Sequence, residues 1–510
     1  MERLTFNVSR PARVAAAPVV AGRGTAPPAR RDARPGRLAA IKSRAAVVRE
    51  RLDADYLWMV AFTALLFFRP QDQIRPLALL HMSELTAIAG LGAMAVRRMS
   101  AGQTIVKVTP EVIGVVALGG IIVLTIPFSL WPGGSLKVFS DLYVKIILIF
   151  ALMVTTLTTP KRLRQLTWLM IVASGYLAAR GVLDYARGVN LTEGDRLKGA
   201  VGGIFENPND LALNLVTFLA PTIFIIILER RPLRRLMASG IALLMLAAIV
   251  ATKSRGGFLG LSAMLLVVAY YTIKVKPQWI FAGVLTVVIA VPMLPQRFWD
   301  RMDSITNGEN DATGSREARL RLMQQALQVF AENPLTGIGA GQFENYNGPG
   351  AIERNRATHN VWLQVAAELG IFGLAIFGFL VLRAFRAAAV SLRAIRPPRR
   401  KPAVAAIKTA ARPPSRGAPR ETSSTGPPLT DEERFILDIN GKAMTAALVG
   451  WFVCAFFASV AFNWTFYYVL ALAVAGREVA LSRRQAAASA AEQPAAAAAV
   501  PGLTFSRALS

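Results

Sequence analysis

Few residues in this chain could do chemistry, and their types are telling. Only two of its 510 residues are histidines. His359 stands where a long polar segment runs into an apolar helix, A-T-H-N-V-W-L-Q-V-A-A-E-L-G-I-F-G-L over 357–374. An imidazole ordinarily titrates near pH ~6.5, so it can accept a proton near neutrality. At the mouth of a membrane span it is costly unless used or well partnered; a helix-end histidine satisfied by a backbone group is the competing reading. Arginines supply the complementary half. Arg255, in the turn T-K-S-R-G-G (252–257) beside Lys253, has a planar fork suited to a phosphate, and its neighbouring glycines permit close approach of a backbone or a ligand. Snorkelling into lipid headgroups is its alternative. Arg196, in G-D-R-L-K-G, and Arg316, Arg319 and Arg321, in S-R-E-A-R-L-R, are further candidates, each also explicable as a solvated or interfacial charge. Together these groups suit one chemistry. Arginines neutralise a departing diphosphate while a histidine takes the proton of an attacking hydroxyl, with no metal needed.

Other polar residues fit that picture less directly. Asn209 and Asp210, in F-E-N-P-N-D, suit the N-cap of a following helix, and Asn360 follows the histidine as a supporting residue. His81 has no basic company and reads as structural. Glu368 is an intramembrane carboxylate that needs a partner. Glu309-Asn310-Asp311 is the nearest approach to a metal-ligating pair and reads as a turn. Cys454 is the single cysteine, which leaves no disulfide framework or zinc site.

The elements that must position these groups are membrane helices. The chain is 54% hydrophobic and 17% charged, with a mean hydropathy of +0.42. An all-α polytopic fold of about 12 spans follows, at roughly 56–68, 77–96, 111–130, 138–157, 163–183, 210–228, 236–252, 257–273, 277–295, 359–382, 436–458 and 463–481. The net charge of +27 is concentrated in an N-terminal tail and a late interior segment that flank spans. It therefore reports topology, with basic connections in the cytoplasm, and not nucleic-acid binding. Contact with membrane lipids is a secondary consequence. Both termini are expected inside, with residues 1–55 a disordered basic tail, 56–295 the first nine spans, 296–358 a large external loop, 359–382 the tenth span, 383–435 a Pro/Arg-rich linker, 436–481 the last two spans and 482–510 an Ala-rich tail. Within the large loop, 315–332 reads as an amphipathic helix with Leu320, Met323, Leu327 and Phe330 on its apolar face. A twelve-span transporter is a different-class alternative, weakened by missing repeat symmetry, the absence of a matching pair of broken helices and scarce charge within spans. A non-catalytic membrane scaffold is a third.

Three segments in order, T-K-S-R-G-G-F-L-G-L (252–261), E-N-P-L-T-G-I-G-A-G-Q-F (332–343) and T-H-N-V-W-L-Q-V-A-A-E-L-G-I-F-G-L (358–374), resemble the O-antigen ligase and polymerase family. F-F-R-P-Q-D (67–72) and F-E-N-P-N-D-L-A-L (205–213) further resemble an exosortase-linked branch of O-glycosylation ligases. The resemblance implies a GT-C-like, metal-independent glycosyltransferase of the bacterial inner membrane that needs no cofactor. Its donor would be an undecaprenyl-diphosphate-linked glycan, and its acceptor a hydroxyl on a lipid or protein at the periplasmic face. A polymerase would use the same donor. By the same resemblance, His359 matches the position of the proposed general base, Arg255 matches a diphosphate-binding arginine well, and Arg196 matches another more loosely.

Overall fold

The computed structural model describes residues 54–70, 82–192, 195–199, 205–273, 275–279, 315–346, 356–396 and 429–497, with isolated positions between 281 and 299. The expected ninth span at 277–295 lies largely outside the described residues, as do the N-terminal tail, His81, Glu309–Asp311 and the linker core.

The described chain is mostly helical. In order the helices are α1 (Ala54–Phe68), α2 (Met82–Ser100), α3 (Pro110–Thr125), α4 (Pro132–Thr156), α5 (Pro160–Ala186), α6 (Pro208–Leu228), α7 (Pro232–Thr252), α8 (Arg255–Ile273), α9 (Ser315–Glu332), α10 (Val361–Ala394), α11 (Asp431–Ala455) and α12 (Trp464–Ala497). Among the described residues eight helices, α3 to α8 with α10 and α11, are long and apolar enough to cross a membrane. Prolines open several of them, α3, α5, α6 and α7 among these, where the missing N–H costs nothing and the fixed φ favours a helix. Helix α12 is the hub. Phe466 to Ala475 are all inaccessible, and the helix packs against α4, α5, α10 and α11.

Two features of α10 differ from expectation. It runs well past residue 382, to Ala394, so the stretch assigned to the start of the linker is helical, and Arg383 from it bonds Glu111 of α3 at 2.7 Å. Arg477 of α12 grips the same fully buried carboxylate at 2.7 and 2.9 Å. A buried carboxylate is tolerable only when paired in this way. The second feature is a break at Gly370 (φ 64°, ψ −164°), a conformation open in practice only to glycine.

The break is filled by the preceding loop. Ile338 N–H and Gly339 N–H donate to the carbonyls of Ala367 and Glu368, each at 2.9 Å, and Ile371 N–H donates to Pro334 O at 2.8 Å. Backbone groups freed inside the helix are thereby satisfied. Approach is so close that a Cβ on Gly370 would sit 2.5 Å from Leu335 O, and one on Gly337 2.3 Å from the Glu368 carbonyl carbon. The Glu368 carboxylate accepts from Gly341 N–H at 2.9 Å and more loosely from Phe343 N–H at 3.4 Å. The intramembrane carboxylate thus finds its partners in backbone, and the Gly-rich motif at 332–343 is a plug for a broken helix.

Candidate functional site

The site is assembled on the α7–α8 turn. Helix α7 ends with Lys253 in the left-handed conformation (φ 48°), and Ser254 starts α8 by accepting from Gly257 N–H at 3.1 Å. Ser254 Oγ also donates to Asn209 Oδ1 at 2.8 Å. Arg196 comes from a two-stranded hairpin, β1 (Leu191–Thr192) with β2 (Arg196–Leu197), within the connection between α5 and α6. Its guanidinium donates to Thr252 O at 3.2 Å and to Asn209 Oδ1 at 3.0 Å. Lys253 pairs with Asp195 at 2.5 Å. Both cations are buried at the C-terminal end of α7, where the helix dipole favours positive charge. They stiffen the turn, and neither lines the cavity described next.

Arg255 is the first residue of α8 and does line it. The cavity, of about 640 Å³, brings together Arg255 with Leu259, Arg319 with Leu320 and Met323 of α9, Thr358, His359 and Asn360 before α10, and Val453, Phe456 and Phe457 from the end of α11. The lining mixes cationic and hydrogen-bonding groups with apolar side chains. Such a mixture suits an amphiphile with an anionic head. The glycines after Arg255 serve packing and not ligand approach. A Cβ on Gly256 would meet Phe457 at 2.5 Å, one on Gly257 would meet Ala212 at 2.7 Å, and Gly260 lies against Cys454 and the Gly450 carbonyl. Small residues let α8 pack close to α6 and α11.

Helix α9 is turned over relative to the expectation. Leu322, Gln325, Ala326 and Val329 are its buried residues, packed with Ile338, Phe343, Tyr346 and Ala367. Leu320 (51% exposed), Met323 (37%) and Leu327 (53%) face outward instead. The sequence has two apolar stripes, and the one with the smaller residues docks against the Gly-rich loop. The outward stripe becomes cavity wall. Arg319 beside it lines the cavity, Arg321 pairs with Glu317 at the surface at 3.3 Å, and the side chain of Arg316 lies outside the described residues.

His359 is held by its backbone. It has φ 49°, unusual for a residue with a Cβ and a conformation that clusters at functional sites. Its N–H donates to Ser459 Oγ at 2.9 Å, and the same hydroxyl bonds Thr358 Oγ1 at 2.8 Å. Asn360 is the N-cap of α10, its Oδ1 accepting from Trp362 and Leu363 N–H at 2.9 and 3.2 Å. For α6 the cap is Asn207, which accepts from Asn209 N–H at 2.8 Å, and not Asn209 or Asp210. Asn209 instead joins Arg196 to Ser254, while Asp210 sits in the first turn of α6, where a carboxylate is favoured. Ser459 and the Phe456–Phe457 pair were invisible to motif reasoning: they belong to an ordinary apolar turn between the last two helices.

Residues 240–378 match the family described as O-antigen ligase. No curated protein matches the chain. The matched region holds the Arg255 turn, the α9 and Gly-rich loop segment, His359 and the broken half of α10. Over that stretch the chain, a polytopic helical membrane protein, carries a region similar to the O-antigen ligase family.

Proposed function

We propose that this protein transfers a glycan from a polyprenyl-diphosphate carrier, undecaprenyl diphosphate, to an acceptor hydroxyl at the external face of the bacterial inner membrane. The observation that carries the proposal is the sharing of one cavity by His359, Arg255 and Arg319 together with apolar side chains. The His359 imidazole takes the proton of the acceptor hydroxyl. The resulting oxygen attacks the anomeric carbon, the bond from that carbon to the diphosphate oxygen breaks, and the carrier diphosphate leaves with the electron pair. Arg255 and Arg319 stabilise that growing negative charge, helped by the N-terminal N–H groups of α8. Arg196 and Lys253 act at one remove by holding the turn that presents Arg255. Asn360 fixes the start of α10, and no step calls for a metal.

Replacement of His359 by Ala, assayed for transfer in membranes holding normal protein levels, should lower the rate about 10² to 10⁴-fold, the range of general acid–base catalysis. Retained transfer would sink the base assignment. Arg255→Ala should cost on the order of 10²-fold, whereas a non-catalytic scaffold would tolerate it. Full-length glycan accumulating on carrier lipid in cells lacking the protein is the expected ligase outcome; short glycans instead would assign it as a polymerase.

A further inference from the structure

A second cavity lies at the other end of the same helices. Its volume is about 710 Å³. It is framed by Arg230 after α6, Tyr270 and Tyr271 near the end of α8, Arg396 after α10, and Arg434 and Lys442 in the first half of α11. Along α8, Arg255 and Tyr270 are separated by roughly 22 Å at 1.5 Å per residue, so the two cavities occupy opposite ends of the bundle. The basic connections assign this second end to the cytoplasm.

Its charge is unbalanced. Four cations face two carboxylates, Asp431 and Asp438, and Asp438 is already paired with Lys442 at 2.5 Å. Helix dipoles account for part of the pattern, since Arg230 and Arg396 follow the C-termini of α6 and α10, where cations are favoured. Arg434 has no such account. It lies near the start of α11, whose N-terminal dipole disfavours a cation, and its inaccessible Nε has no hydrogen-bond partner among the described residues. The nearest acids in sequence are largely engaged elsewhere: Glu432 pairs with Arg164 at 2.9 Å and Glu433 with Arg483 at 2.7 Å. The preceding residues 397–428 contain seven Lys and Arg and only Glu421 as an acid. The same lining includes apolar Val275, Leu392, Ile395 and Phe435, and its two tyrosines lie near the end of α8, the kind of position where such rings favour a membrane interface.

We propose that this cavity binds the headgroup of an anionic phospholipid from the cytoplasmic leaflet. Its phosphodiester oxygens accept from Arg434, Arg230 and Arg396, and its glycerol and upper acyl carbons lie on the apolar floor. Guanidinium forks match phosphate oxygens, and basic pockets between helix ends are the known form of such sites. The occupied site would tie α6, α8, α10 and α11 together at one end, independently of the transfer cavity at the other.

The test uses the purified full-length protein in detergent, titrated with phosphatidylglycerol or phosphatidylcholine and followed by native mass spectrometry. Phosphatidylglycerol should bind more tightly than phosphatidylcholine. The Arg230→Gln/Arg434→Gln double variant should weaken phosphatidylglycerol on the order of 30-fold, about fivefold per charge, with phosphatidylcholine unchanged. Equal binding of the two lipids, or unchanged phosphatidylglycerol binding by the variant, would overturn the proposal. Displacement of the lipid by millimolar inorganic phosphate would reassign the cavity to a soluble anion. If the double variant fails to fold, the wild-type protein decides the matter: its melting temperature should rise with phosphatidylglycerol and not with phosphatidylcholine, and no difference between them refutes the site.

Discussion

Replacing Ser459 by Ala tests whether the histidine works through its placement. The serine is not among the cavity-lining residues; it holds two that are, accepting from the His359 N–H at 2.9 Å and bonding Thr358 Oγ1 at 2.8 Å. Its loss leaves a donor unsatisfied, at about 1–3 kcal/mol. The left-handed backbone of His359 (φ 49°) stores strain of similar size, about 1–3 kcal/mol. Both terms push the same way, so residues 357–360 should relax toward ordinary φ and carry the imidazole with them. A displacement of about 1 Å at a reacting group costs on the order of 10²-fold. Transfer by Ser459→Ala should therefore fall about 10 to 100-fold at unchanged protein level, and Ser459→Thr, which keeps the hydroxyl, should recover most of it. The double variant with His359→Ala should be no slower than His359→Ala alone, because both changes remove one function. Full transfer by Ser459→Ala beside an inactive His359→Ala, or losses that multiply in the double variant, would refute the reasoning.

Three further outcomes follow from the same geometry. Gly370→Ala places a Cβ 2.5 Å from Leu335 O at φ 64° and should lower stability by about 3 kcal/mol, read as an earlier melting transition in detergent; an unchanged transition would mean that the break is not rigid. Met323→Glu sets a carboxylate on the cavity wall that holds Arg255 and Arg319, so the KM for an anionic donor should rise at least ~10-fold, with acceptor KM unaffected. Burial raises the Glu344 carboxyl above the ordinary glutamate range. Its folded pKa exceeds its unfolded one, so its contribution to stability is complete at low pH and is lost as pH rises through the folded value. Glu344→Gln should accordingly melt later than wild type at neutral and higher pH, and the gap should close in acid.

Much of the architecture was legible because long apolar runs leave a chain little choice in a bilayer. The helices at Pro208–Leu228, Pro232–Thr252 and Arg255–Ile273 lie close to the stretches that hydropathy marked. Topology put Arg255, Arg319 and His359 on one face together with Arg196, Arg316 and Lys253, and could not say which of the basic residues share a cavity with the histidine; Arg255 and Arg319 do. What stayed hidden depends on contacts between distant segments. Arg196 looked like a ligand arginine because its loop was expected to be external, yet its fork is turned onto the end of α7 by a hairpin too short to leave a pattern. The docking face of α9 could not be chosen between two apolar stripes without its partner, the Gly-rich loop. The break at Gly370 is one glycine in a run that already contains Gly373 and Gly378, and only the incoming loop distinguishes it.

The plugged break also bears on how the protein is made. The groups that complete α10 at Gly370 come from residues 334–343, which leave the ribosome before α10 itself. They need to be in place as α10 packs, since α10 on its own would leave the Ala367 and Glu368 carbonyls unpaired. Synthesis from the N-terminus supplies that order without a chaperone having to hold the helix open. A variant chain in which the 334–343 loop is shortened should then fail at the packing of α10, before any question of activity arises.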